Sequence, residues 1–145
     1  MGHSEIERLL EEYFTITGKP TINPDGTVDI EGHCFLKPTI KVSQLPVKFG
    51  KVSGYFDCRF NQLTSLEGAP QSVGGGFVCN WSPTLPLLRT VVAKRVGVYK
   101  GDNLFKEIND ILDSCIEKNP GSYRGAALDA KRKLTDAGYK DNAKW

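Results

Sequence analysis

A chain of 145 residues suffices for one domain with its own hydrophobic core. With 39% hydrophobic and 25% charged residues and a formal net charge of +2, it is ordinary for a globular protein and too weakly basic to argue for nucleic acid from charge alone. No apolar run approaches the roughly 18 residues of a membrane span, so the expectation is a cytoplasmic protein with no membrane partner.

The opening Met1-Gly2-His3-Ser4-Glu5-Ile6 is not read as a secretory signal, because an acidic amphipathic stretch follows, and Ile6 stands where myristoylation needs Ser or Thr. Ser4 is a candidate N-cap, after which Ile6, Leu9, Leu10, Tyr13 and Phe14 recur at helical spacing, with Glu5, Glu7, Glu11 and Glu12 on the other face. Gly18, Pro20, Pro24 and Asp25-Gly26 end the pattern with turn chemistry. This predicts a cap helix over residues 1–18, of the kind a repeat array needs to hide its open end.

Residues 27–101 read as degenerate repeats. Thr27-Val28-Asp29-Ile30 alternates like a strand. The clearest copy is Phe56-Asp57-Cys58-Arg59-Phe60-Asn61-Gln62-Leu63-Thr64-Ser65-Leu66, with the spacing apolar-x-apolar-x-x-Asn-x-Leu-x-x-Leu of a leucine-rich repeat. Phe56 and Cys58 point inward from a short strand, Asn61 serves the turn's backbone groups, and Leu63 and Leu66 bring the return arm over the same core. Val73, Gly75, Phe77 and Cys79 follow Val52, Gly54, Phe56 and Cys58 by 21 residues. Gly32, Cys34 and Leu36 form a first, degenerate copy 22 residues before Gly54, Phe56 and Cys58. In the third copy Trp81-Ser82-Pro83 replaces the Asn turn, and Leu85, Leu87 and Leu88 supply the return arm. A fourth copy falls at Gly97-Val98-Tyr99-Lys100-Gly101 with a one-residue insertion.

The strands are expected near 34–36, 55–59, 76–79 and 97–100. Gly74-Gly75-Gly76 lacks the Gly-Lys-Ser/Thr ending of a phosphate loop and is read as a tight corner. Cys34, Cys58, Cys79 and Cys115 show no Cys-x-x-Cys spacing. Cys58 and Cys79, at equivalent positions, are read as reduced core residues in preference to a disulfide or a metal pair with His33.

Residues 102–145 predict a helical cap. Asp102 is a candidate N-cap for a helix marked by Leu104, Phe105, Ile108, Ile111, Leu112, Cys115 and Ile116, which Asn119-Pro120-Gly121 stops. A last helix starts near Ser122 and ends at Ala137-Gly138. Its Arg124, Lys131, Arg132, Lys133 and Lys140, with Lys144 beyond, form the one basic cluster and are read as a solvated face. The fold class is therefore α+β: one domain, a short leucine-rich-repeat-like solenoid of about four coils between one N-terminal and two C-terminal helices.

Asn61-Gln62-Leu63-Thr64-Ser65-Leu66-Glu67-Gly68-Ala69-Pro70, followed by Ser72-Val73-Gly74-Gly75, resembles the small leucine-rich-repeat-like accessory proteins of large tailed phages. The resemblance covers residues 27–100, and the closing 137–144 has a similar character. It implies a parallel-strand stack, a host cytoplasmic setting and a host protein as partner, which the protein modulates or inhibits.

No catalytic constellation, metal cluster or cofactor motif emerges from the spacing of His3, His33 and the acidic residues, so the expectation is a non-enzymatic binding module without a cofactor. The strand residues between the inward positions would line one face, and Phe35, Tyr55, Asp57, Arg59, Phe60, Val78, Asn80 and Trp81 are the candidate partner-binding residues. His33, Lys37, Val98 and Lys100 would extend that row. Aromatic residues with an arginine are typical anchors of a protein interface. The alternatives are a single-stranded nucleic acid or nucleotide on the same aromatics, or cap helices folded over the face to make it core.

Overall fold

The computed structural model describes residues 2–145. Helix α1 (His3–Tyr13) leads into strand β1 (Phe14–Ile22), which pairs antiparallel with β2 (Val28–Leu36) across a turn at Asp25-Gly26. Then come β3 (Phe49–Val52), β4 (Phe56–Asp57), β5 (Ser72–Asn80), a 3-10 turn (Leu88–Val92), β6 (Ala93–Lys100), β7 (Asn103–Leu104), α2 (Lys106–Lys118) and α3 (Tyr123–Asp136).

Strands β2, β3 with β4, β5 and β6 stack in parallel as successive coils. The register sets Cys34 beside Phe56 and Phe56 beside Phe77, so the inward positions read from the sequence share one face. Phe14, Phe49, Phe56 and Phe77 meet edge to face at centroid distances of 5.2, 5.3 and 5.2 Å, forming a column through the core. Such pairs add about 0.5–1.5 kcal/mol each to the burial of their surface. On the return side Leu63, Leu66, Leu85, Leu87 and Leu88 are buried against this column. The Asn61 Oδ1 accepts the Val42 N–H at 3.2 Å and its Nδ2 donates to the Arg59 carbonyl at 3.3 Å, the turn-bracing role its position suggested. Cys34, Cys58, Cys79 and Cys115 are buried free thiols.

Several expectations are corrected. The helix predicted over 1–18 ends at Tyr13, because Thr15-Ile16-Thr17 alternates in strand fashion and the chain turns back on β2 as a hairpin. Gly2, not Ser4, holds the N-cap position, and Phe105, not Asp102, precedes α2. Asp102 lies in the turn before β7, which leaves Leu104 exposed. β3 lies outside the expected strand spans, and β2, β5 and β6 extend well beyond theirs. Gly74, Gly75 and Gly76 sit within β5 and not at a corner.

The fourth copy is shorter than the repeat, not longer. Phe77 pairs with Val96 and Cys79 with Val98, an offset of 19 residues. Val98 is therefore buried, and Tyr99 takes the outward position.

The last coil is closed as predicted, by the C-terminal helices. Asn109 Oδ1 accepts the Val98 N–H at 2.7 Å and Asp113 Oδ1 the Val96 N–H at 2.9 Å, so two α2 side chains satisfy donors of an edge strand that would otherwise invite pairing. Ser122 caps α3 by accepting the Gly125 N–H, and Gly138 follows it with φ +95°. The α3 cations are exposed or tied to Asp129, which bridges to Arg132 at 2.8 Å and Lys133 at 3.4 Å. No described helix is long and apolar enough to cross a membrane.

Candidate functional site

The outward residues of the strands form an open face. Phe35, Tyr55 and Phe60 keep 36, 42 and 41% of their surface exposed, because the helices pack at the ends of the stack and not across it.

Tyr55 is held by a rule that runs through the coils: a side chain in one coil lies over a glycine in the next. A Cβ on Gly50 would stand 2.3 Å from Asp29 Oδ1, one on Gly54 would stand 2.4 Å from His33 Nδ1, and one on Gly75 would stand 2.6 Å from the Tyr55 ring. The same polar atoms accept backbone N–H groups where β3 and β4 part. Asp29 Oδ1 takes the Lys51 amide at 2.8 Å, and His33 Nδ1 takes the Tyr55 amide at 2.9 Å. The ring of His33 lies 5.6 Å from Tyr55 and 6.2 Å from Phe35, so these three form one cluster.

Arg59 centres a second cluster. Asp57 grips it in a fork, with Nη2 to Oδ2 at 2.9 Å and Nε to both carboxylate oxygens at 3.2 Å. This pairing raises the guanidinium's already high pKa and fixes its plane. The guanidinium carbon is 4.6 Å from the centroid of Tyr99 and 5.3 Å from that of Phe60. Phe60 has φ +63°, the one non-glycine residue with positive φ among the described residues. Three contacts enforce it: the Phe60 N–H donates to Asn80 Oδ1 at 2.6 Å, the Phe60 carbonyl accepts Lys41 Nζ, and Asn80 Nδ2 is anchored on the Gly101 carbonyl at 3.1 Å. A phenylalanine held left-handed and half out of the protein costs on the order of 1 kcal/mol, a cost that collects at binding sites.

The sequence-predicted residues thus divide. Phe35, Tyr55, Asp57, Arg59 and Phe60 share the face, Val78 lies half-buried between the clusters beside Asp57 and Gly97, and Asn80 is the brace beneath Phe60. Trp81 does not join them as the partner of Phe60. Its ring is half-buried 5.2 Å from Phe105, and its indole N–H donates to Asn142 Oδ1 at 2.9 Å. Lys100 leaves the row with it, with Nζ 5.2 Å from the centroids of both Trp81 and Phe105. Tyr99 was missed through the register of the fourth copy, although the alternation Val96-Gly97-Val98 already marks it as outward.

Among the described residues no three His, Cys, Asp or Glu side chains converge as a metal site. Comparison of the chain with models of protein families, with curated proteins and with solved structures found no match. The resemblance to phage repeat proteins accordingly rests on the residues of the central coils.

Proposed function

We propose that the chain is a non-enzymatic binding module whose strand face takes a protein partner. One observation carries this reading: Arg59, locked by Asp57, stands between Phe60 and Tyr99 while Phe60 is kept strained and exposed. Rigid aromatics flanking an arginine lose little entropy on binding and are the residues that dominate protein interfaces. Burial of Tyr55 and of Phe60 would each stabilise a complex by roughly 2 kcal/mol.

The cations nearest the aromatics favour a protein over a single-stranded nucleic acid. Arg59 is held by Asp57, Lys41 by the Phe60 carbonyl and Lys37 by the Glu11 carbonyl, which leaves them poorly placed to follow a phosphate backbone. The phage-like motif supports a host protein as that partner, modulated or inhibited in the host cytoplasm.

The test is affinity capture from host lysate with the wild-type chain and with Tyr55→Ala/Phe60→Ala, each with and without nuclease. A protein retained by the wild type after nuclease treatment and lost by the variant is the expected result. Retention abolished by nuclease, with an affinity that falls steeply in salt, would move the reading to nucleic acid.

A further inference from the structure

A second surface lies at the opposite end of the stack from α2. β1 is the terminal strand of the sheet, and a groove of about 730 Å³ runs between it and α1. Its floor is apolar, built from Leu10, Phe14, Ile16 and Ile22, and Glu7 and Glu11 line its wall. The backbone of β1 is open along this groove. The Lys37 N–H donates to the Tyr13 carbonyl and the Asn23 N–H to the Thr27 carbonyl, so the odd-numbered residues turn their amides toward β2. The even-numbered Ile16 and Gly18 consequently point N–H and C=O groups away from the sheet. Unlike β6, whose outer donors are taken by Asn109 and Asp113, β1 has no strand on its other side.

The charge of the wall selects the occupant. Glu7 and Glu11 are one helical turn apart, a like-charge pair that disfavours the helix until a cation neutralises it, and neither has an ion-pair partner among the described residues. Lys37, which also borders the groove, donates its Nζ to the Glu11 backbone carbonyl at 2.9 Å.

We propose that this groove binds an extended basic peptide segment, which adds as a strand to the free edge of β1 beside Ile16 and Gly18, sets apolar side chains on Phe14 and Ile16, and directs Lys or Arg to Glu7 and Glu11. Main-chain pairing supplies affinity in such additions and the alternate side chains supply selectivity. The surface is separate from the aromatic face, so either can hold without the other.

The test uses the full chain and fluorescent octapeptides with alternating residues: Lys-Val, Glu-Val, and Lys-Val N-methylated at alternate amides. Circular dichroism and Tm establish that the Glu7→Lys/Glu11→Lys variant is folded, and light scattering reports the oligomeric state. The Lys-Val peptide is expected to bind, with affinity falling about tenfold or more on N-methylation and again in the double variant, and the Glu-Val peptide is expected not to bind. Absence of Lys-Val binding, equal binding of the acidic or N-methylated peptide, or unchanged affinity in the double variant would each overturn the proposal. A wild-type dimer made monomeric by Ile16→Pro, which removes an outward N–H, would also overturn it and make a second copy the occupant.

Discussion

The indole N–H of Trp81 donates to Asn142 across 61 residues of sequence, at 2.9 Å. Asn142 is itself buried, and its Nδ2 donates to the carbonyls of Ser82 and Leu85, both at 2.9 Å. The third coil's irregular turn and the chain's closing segment are therefore one polar joint, with Phe105 packed on the indole.

This joint makes Trp81 a stability residue. Trp81→Ala removes half-buried aromatic surface and leaves Asn142 without an acceptor's partner, a loss of roughly 2–3 kcal/mol. A fall in Tm of roughly 5–10 °C in a thermal melt is expected. Trp81→Phe, which keeps the packing and loses the donor, should recover a large part of it. The sequence reading had expected the truncation to leave Tm unchanged, because it placed Trp81 beside Phe60 by repeat arithmetic alone.

The glycine rule predicts a coupled pair. Gly75→Ala sets a methyl 2.6 Å from the Tyr55 ring and 2.9 Å from the Gly54 carbonyl, and should cost roughly 1–3 kcal/mol. Part of that cost should vanish in a Tyr55→Ala background, because the ring is one of the two obstacles. Gly74→Ala meets the Ser53 carbonyl at 2.3 Å, which is backbone and cannot move aside, so its cost should persist in the same background. Denaturant melts of the four single and double variants measure the difference.

Burial holds the thiols protonated, and this sets an alkaline limit on stability. Cys34 and Cys79 are pushed up to about 12 from the ordinary 9.0, chiefly by desolvation, and Cys58 is raised well above that ordinary value by the same cause. In the unfolded chain these groups release protons near pH 9, whereas the folded chain retains them, so stability is full below pH 9 and declines as pH rises from 9 toward 12. Each such thiol contributes a slope approaching roughly 1.4 kcal/mol per pH unit in that window. Melts at pH 8, 9, 10 and 11 should show the fall, shallower in Cys79→Ala. The three stacked thiols should react with Ellman's reagent at pH 8 only as fast as the protein opens.

The inward half of the solenoid was legible because it is written twice. Phe56 with Cys58 and Phe77 with Cys79 obey one period, and a column of apolar side chains tolerates no other register. What escaped the sequence depends on partners that no local pattern names. β1 carries Gly18 and Pro20, which read as breakers until Gly18 is seen facing Gly32 across a hairpin. The glycine triplet reads as a corner until the ring of Tyr55 is laid over it. Tyr99 was lost because the fourth coil drops two residues from the 21-residue period, which reverses the faces of Val98 and its neighbours. The candidate face was legible in composition, since Phe35, Tyr55, Arg59 and Phe60 all lie on it, but the brace from Asn80 and the positive φ of Phe60 were not.

The central claim is that the exposed aromatics serve a partner and not the fold. It is tested most directly by measuring partner affinity and Tm together for Phe60→Ala. Truncation removes an exposed ring and eases a left-handed residue, so Tm should stay within about 2 °C of the wild type, while loss of roughly 2 kcal/mol at the interface should weaken binding by more than tenfold. Unchanged affinity in a variant of unchanged Tm would contradict the claim.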